Sequence, residues 1–229
     1  MELQKDTQTT WAKARWYDDA CGAAHGLELL GERWALLVVR ELMFGPRRFG
    51  AIRGALGGIS AKVLTERLQG LRQAGIVTRR TLPPPASTQV YALTPWGCEA
   101  EPIFTALGRW AARSPAHDPS LPLSAASLML SFRTMFDPGR ASAMEATIGF
   151  RFDDDTFCVT VSAGELRAAR VDPTGVDAVV AAAPPVVAAV IYGNLPLADA
   201  EASGALALDG DRDLVLRFAG LFPLPEKAS

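Results

Sequence analysis

Residues 45–81 read GPRRFGAIRGALGGISAKVLTERLQGLRQAGIVTRRT. Phe49, Ile52 and Leu56 recur at helical spacing, so 47–56 is predicted to be a short amphipathic helix. Gly57-Gly58 is a turn. Ser60 then stands where an N-cap belongs, and its hydroxyl can accept one of the unbonded N–H groups of the following turn. Leu64, Leu68 and Leu71 line one face of the helix that follows, and Gly75 is a natural residue just past its end. Ala61, Lys62, Thr65, Gln69 and Arg72 fall on or near the opposite face. IVTRRT, starting at Ile76, is a β-prone run.

Upstream, residues 22–43 carry Leu27, Leu30, Trp34, Leu37 or Val38, and Leu42 at helical spacing, which predicts one helix. Downstream, the proline-rich loop PPPAST leads into a second β-prone run, QVYALT, which completes a hairpin. Thr94-Pro95 opens a helix over 95–112, with Ile103, Leu107 and Trp110 on one side and a kink expected at Pro102. The order is helix, helix, turn, helix, two-stranded wing, helix. Residues 114–122, SPAHDPSLP, are polar and proline-rich and lack periodicity. They read as a linker between a first domain at 15–113 and a second at 123–225.

Charge follows the same division. Residues 1–116 hold 15 Lys and Arg against 10 Asp and Glu, a net of +5, whereas residues 117–229 hold 8 against 15, a net of −7. Residues 40–80 alone carry nine cations (Arg40, Arg47, Arg48, Arg53, Lys62, Arg67, Arg72, Arg79 and Arg80) against Glu41 and Glu66. Such a cluster suits an anionic partner for that stretch, and a solvated helical surface is the plainer alternative. A helix that docks in the major groove needs an apolar back and an exposed flank of short polar or basic side chains. Residues 60–74 meet both demands, with Ser60, Lys62 and Thr65 on the first turns and Gln69 farther along. Arg47 and Arg48 open the preceding helix, and Arg79 and Arg80 begin the wing, all four placed for phosphate contact.

The first half resembles the HxlR family of bacterial winged-helix regulators. The resemblance rests on Cys21, Gly31 to Trp34, Arg40-Glu41-Leu42, Gly45-Pro46-Arg47-Arg48-Phe49, Ile59 to Leu68, Ala74-Gly75, Tyr91 to Thr94, and Gly97. Gly22 stands where a proline usually follows the cysteine, and Gly57-Gly58 replaces the usual leucine/proline-glycine. The resemblance implies a homodimer, built mainly from the N-terminal helix region and the helix after the wing, on a palindromic operator in double-stranded DNA. Some similar proteins use a cysteine near position 21 as a redox or electrophile sensor. Sensing needs an exposed thiolate of lowered pKa, and the alternative is a small buried apolar residue.

Other classes are disfavoured. No segment of the 229 residues has the eighteen or so unbroken apolar positions of a membrane span. The start MELQKDTQTTWAKARWYDD lacks signal-peptide features, so a cytoplasmic location is expected. Cys21, Cys98 and Cys158 are scattered and odd in number, which does not fit a disulfide framework. His25 and His117, the only histidines, offer neither metal-ligand spacing nor a nucleophile triad, so neither cofactor nor metal is expected. Asp153-Asp154-Asp155 falls in a turn, where Asp is favoured for conformational reasons.

In the second half, residues 123–136 look helical. EATIGFRF, FCVTVSA and ELRAARV form a three-strand meander, and DAVVAA is a candidate fourth strand. PPVVAAVIYG and LADAEASG read as helices, ALALDGD as a last strand and DLVLRFAGLF as a final helix. The whole chain is thus α+β, a winged helix-turn-helix followed by a sheet with helices. The second half resembles the sterol carrier protein type 2-like fold. That resemblance implies an apolar tunnel lined by Met129, Phe132, Phe136, Phe150, Phe157, Ile191, Tyr192 and Phe218, unless these residues form a solid core. The expectation is a ligand-responsive repressor with an apolar or aromatic small-molecule effector. The alternative is a lipid or small-molecule carrier whose winged helix only dimerises.

Overall fold

The structure is a computed structural model and describes residues 17–228 apart from 142 and 154. Residues 15 and 16 of the expected first domain, and Asp154 of the aspartate turn, lie outside the described residues. The chain opens with α1 (Gly22–Leu30) and α2 (Ala35–Leu42). The single helix expected over 22–43 is broken between them. Trp34 sits at φ 77°, in the left-handed region, and Gly31 closes α1 so tightly that a Cβ there would lie 2.4 Å from the Leu27 carbonyl oxygen. Apolar spacing does not register such a break: Val38 and Leu42 of α2 are buried, whereas Leu27 of α1 is 52% exposed.

Next come α3 (Phe49–Ala55) and α4 (Ala61–Gln73), then the hairpin β1 (Val77–Thr81) and β2 (Gln89–Leu93). The third helix starts two residues later than expected. The Arg47 N–H donates to the Tyr91 carbonyl at 2.9 Å and its own carbonyl accepts from the Tyr91 N–H at 2.8 Å, so this backbone belongs to the edge of the wing. Ser60 caps α4 as expected, its Oγ accepting from the Val63 N–H at 3.2 Å. Leu64, Leu68 and Leu71 are fully buried against Val38, Val39, Leu42 and Ile52. Burial of each leucine stabilises the chain by roughly 1.5–3 kcal/mol.

The helix expected over 95–112 is α5 (Pro95–Cys98) and α6 (Glu101–Ala112). Pro102 does not kink a continuous helix. It occupies the first turn of α6, where a missing N–H costs nothing. The Thr94 hydroxyl accepts from the Gly97 N–H at 3.0 Å and donates to the Gly75 carbonyl at 2.7 Å, tying the end of the wing to the end of α4.

The C-terminal region holds α7 (Ala125–Met135), β3 (Ala146–Arg151), β4 (Thr156–Ser162), β5 (Glu165–Ala169), β6 (Ala178–Ala182), α8 (Pro184–Tyr192), α9 (Leu197–Ala202), β7 (Leu206–Gly210) and α10 (Arg212–Ala219). The five strands lie in the order β5-β4-β3-β6-β7. The meander is as expected, and β6 joins its far side parallel to β3. Gly149 in β3 allows the return segment to cross closely, since a Cβ there would meet the Pro173 ring at 2.3 Å. The two halves have separate buried clusters, except that Leu130 of α7 packs into the winged-helix cluster.

The expected tunnel-lining side chains are packed together as core. Met129, Phe132, Phe150, Phe157 and Phe218 are no more than 1% exposed. The Phe132 ring lies 4.8 Å from that of Phe222 and 5.6 Å from those of Phe150 and Phe218. Aromatic pairs at these separations attract one another and fill the space between sheet and helices. Phe136, Ile191 and Tyr192 are half-buried at the edge of this core.

Candidate nucleic-acid interface

With its leucines buried, α4 turns Lys62, Thr65 and Gln69 outward, and Ser60 is exposed at its start. The Thr65 hydroxyl donates back to the Ala61 carbonyl at 2.9 Å, which leaves its methyl group and oxygen lone pairs at the surface. Arg48 is exposed at the N-cap position of α3. Arg79 and Arg80, paired in register with Tyr91 and Val90, are both exposed because residues 78–81 of the wing strand face solvent on either side.

Arg47 departs from expectation. Its side chain is only 8% exposed, with Nη1 2.8 Å from Glu41 Oε2 and Nη2 2.8 Å from Asp155 Oδ2. A guanidinium held by two carboxylates in the interior does not reach a phosphate, so Arg47 is not placed for the contact expected of it. Arg40 donates twice to Glu41 Oε1, and Arg67 pairs with Glu32 of the α1–α2 turn, fastening α4 to the body. Of the nine cations between 40 and 80, six therefore form no ion pair among the described residues: Arg48, Arg53, Lys62, Arg72, Arg79 and Arg80, all exposed. These six are available to a polyanion.

Nothing local in the sequence marks the network around Arg47. Glu41 is wholly buried and also accepts from the Ser124 hydroxyl at 2.6 Å, while Arg170 Nε lies 3.1 Å from Asp155 Oδ1. Burial pushes the Arg170 guanidinium below its usual pKa, and the Asp155 carboxylate works in the other direction. Asp155 therefore does more than favour a turn. A charged residue with no charged neighbour of opposite sign in sequence gives no signal of a partner 108 residues away.

The helix-turn-helix model described as "HxlR-like helix-turn-helix" matches residues 29–118. The HTH-type transcriptional regulator YodB of Bacillus subtilis is 41% identical over 83 residues, covering 36% of this chain and 74% of YodB. The chain belongs to the HxlR-like family. An HTH-type transcriptional regulator of Synechocystis is 40% identical over 87 residues, covering 38% of this chain and 64% of that protein's length. The solved reduced form of YodB aligns at 35% identity and a TM-score of 0.39, covering 44% of this chain and all of that one. In this HxlR-like chain the match ends at residue 118, so the five-stranded sheet lies wholly beyond it.

Cys21 is exposed just before α1, and the amide N–H groups of Ala23 and then Ala24 hold its thiol below the usual pKa. Cys158 is partly buried in β4, and burial, with the Asp172 charge, pushes its thiol up. Thiolate is the reactive form. As pH rises, Cys21 therefore reaches it first, and Cys158 needs more alkaline solution than an ordinary thiol. Iodoacetamide at pH 7, followed by peptide mass spectrometry, should label Cys21 well ahead of Cys158. Equal rates would show that the α1 amides do not activate Cys21.

Proposed function

We propose that this chain is a dimeric, DNA-binding transcriptional regulator that places α4 in the major groove of a duplex with two related half-sites. The observation that carries the reading is the set of six exposed cations at the N-cap of α3 and on α3, α4 and β1, which form no ion pair among the described residues and lie beside the polar flank of α4. Ser60, Lys62, Thr65 and Gln69 read base edges, and Arg48, Arg79 and Arg80 contact phosphates on this reading. A protein that neutralises several phosphates loses affinity steeply with salt, by about 0.9 in log–log slope per contact. Fluorescence anisotropy with a duplex selected by the chain from a random-sequence pool tests this. Salt-insensitive binding, or no selection, rejects it.

Dimerisation is supported by α6. Ile103, Leu107 and Trp110 are 52%, 44% and 73% exposed, whereas Phe104 of the same helix is buried. The stripe that the sequence placed on one side of this helix thus faces outward, and a partner copy would cover it. Changing Ile103 and Leu107 together to Glu should convert a dimer to a monomer in light scattering and weaken binding to the two-half-site duplex. An unchanged mass would place the interface elsewhere.

The sheet region is the regulatory part on this reading, in keeping with a ligand-responsive repressor and a sterol carrier-like fold. Its effector is apolar or aromatic and engages the half-buried edge at Phe136, Ile191 and Tyr192, because the rings behind them are packed on one another.

A further inference from the structure

A buried string of charges joins the winged helix to the C-terminal sheet, and Arg47 is its middle. Its side chain bridges Glu41 of α2 and Asp155 of the β3–β4 turn, each at 2.8 Å. Asp155 also engages Arg170, which lies over the Phe157 ring and donates to the Phe44 carbonyl at 3.3 Å, in the segment joining α2 to α3. At the same time the Arg47 backbone is bonded in both directions to Tyr91 of β2. One residue thus connects the C-terminal turn, the approach to α3 and the wing.

We propose that Asp155 is a positioning residue for DNA recognition, acting through Arg47 to fix the wing relative to α3 and α4. Gly45, at φ 113°, and Pro46 precede Arg47, so no helix imposes its placement from the N-terminal side. The side-chain clamp does so instead. Neutralising Asp155 leaves Arg47 with Glu41 alone and removes the charge facing Arg170. The helix α4 keeps its buried leucines, and the six exposed cations stay in place. What is loosened is the seat of the β2 edge beside α3, while Thr94 still ties the end of the wing to α4; sequence reading needs that seat and general attraction to phosphate does not. The sheet region is then a working part of the DNA-reading surface.

This inference rests on the DNA-binding reading, and its test separates the two. The full-length wild-type chain first selects a duplex from a random-sequence pool; if it selects none, the DNA reading itself fails. Affinities are then measured for the selected duplex and for a scrambled duplex of equal length, at temperatures below each variant's melting transition. Asp155→Asn should weaken binding to the selected duplex by about tenfold, the size of effect expected when one base-edge contact is misplaced. Binding to the scrambled duplex, and the salt slope, should stay as in wild type. Asp155→Glu should restore part of the ratio. If Asp155→Asn does not fold, Arg170→Lys, which keeps the cation but loses the fork, should lower the same ratio by a few fold. An unchanged ratio overturns the proposal, as does an equal loss on both duplexes, the mark of a merely structural role.

Discussion

Replacing Glu41 by Ala is expected to lower the stability of the chain by about 3–5 kcal/mol, as removal of one partner from a buried ion pair does. Glu41 is fully buried and holds three groups at once: Arg40, the Arg47 guanidinium and the Ser124 hydroxyl. With the carboxylate gone, Arg47 keeps only Asp155, and Arg40 loses its acceptor beside the same pocket. Ser124 also begins α7, so the change loosens the helix that both clusters share. For a chain of this length, such a loss lowers the melting midpoint by roughly 10 °C. Differential scanning calorimetry of Glu41→Ala against wild type is the check. A shift of only a degree or two would mean that the carboxylate is not the centre of the contact.

The second large effect is expected on DNA. Arg79→Ala with Arg80→Ala should reduce the salt slope by roughly 2 and weaken all duplexes alike, because phosphate contacts carry no sequence information. Lys62→Ala should behave differently. A side chain at a base edge discriminates by about 1–3 kcal/mol, so its loss should fall mainly on the selected duplex and relax preference at one position. Anisotropy titrations at several salt concentrations separate the two signatures. If both variants gave the same uniform loss, Lys62 would be only another phosphate contact.

Much of this was legible in the sequence, and the exceptions have physical causes. The cap at Ser60, the leucines of α4 and the wing are local patterns, and the structure shows each of them. Arg47 and Arg48 are neighbours of the same type, and nothing local separates them. Asp155 and Glu41, brought close only by the fold, draw the first inward and leave the second exposed. The apolar stripe of α6 was visible, but whether a stripe faces a core or a partner depends on what lies opposite. Tunnel and solid core both require buried aromatics, so composition could not choose between them; the Phe132 ring lies 4.8 to 5.6 Å from those of Phe222, Phe150 and Phe218. The meander was readable because consecutive strands pair by short turns, while β6 reaches β3 only through a longer return past Pro173.

Dimethyl sulfate footprinting of the selected duplex tests the central claim most directly, since the reagent methylates guanine N7 in the major groove. The account predicts two patches of N7 protection about one helical turn apart, weakened in Lys62→Ala and retained in Arg79→Ala. Uniform reactivity along a duplex that the wild-type chain demonstrably binds would contradict it.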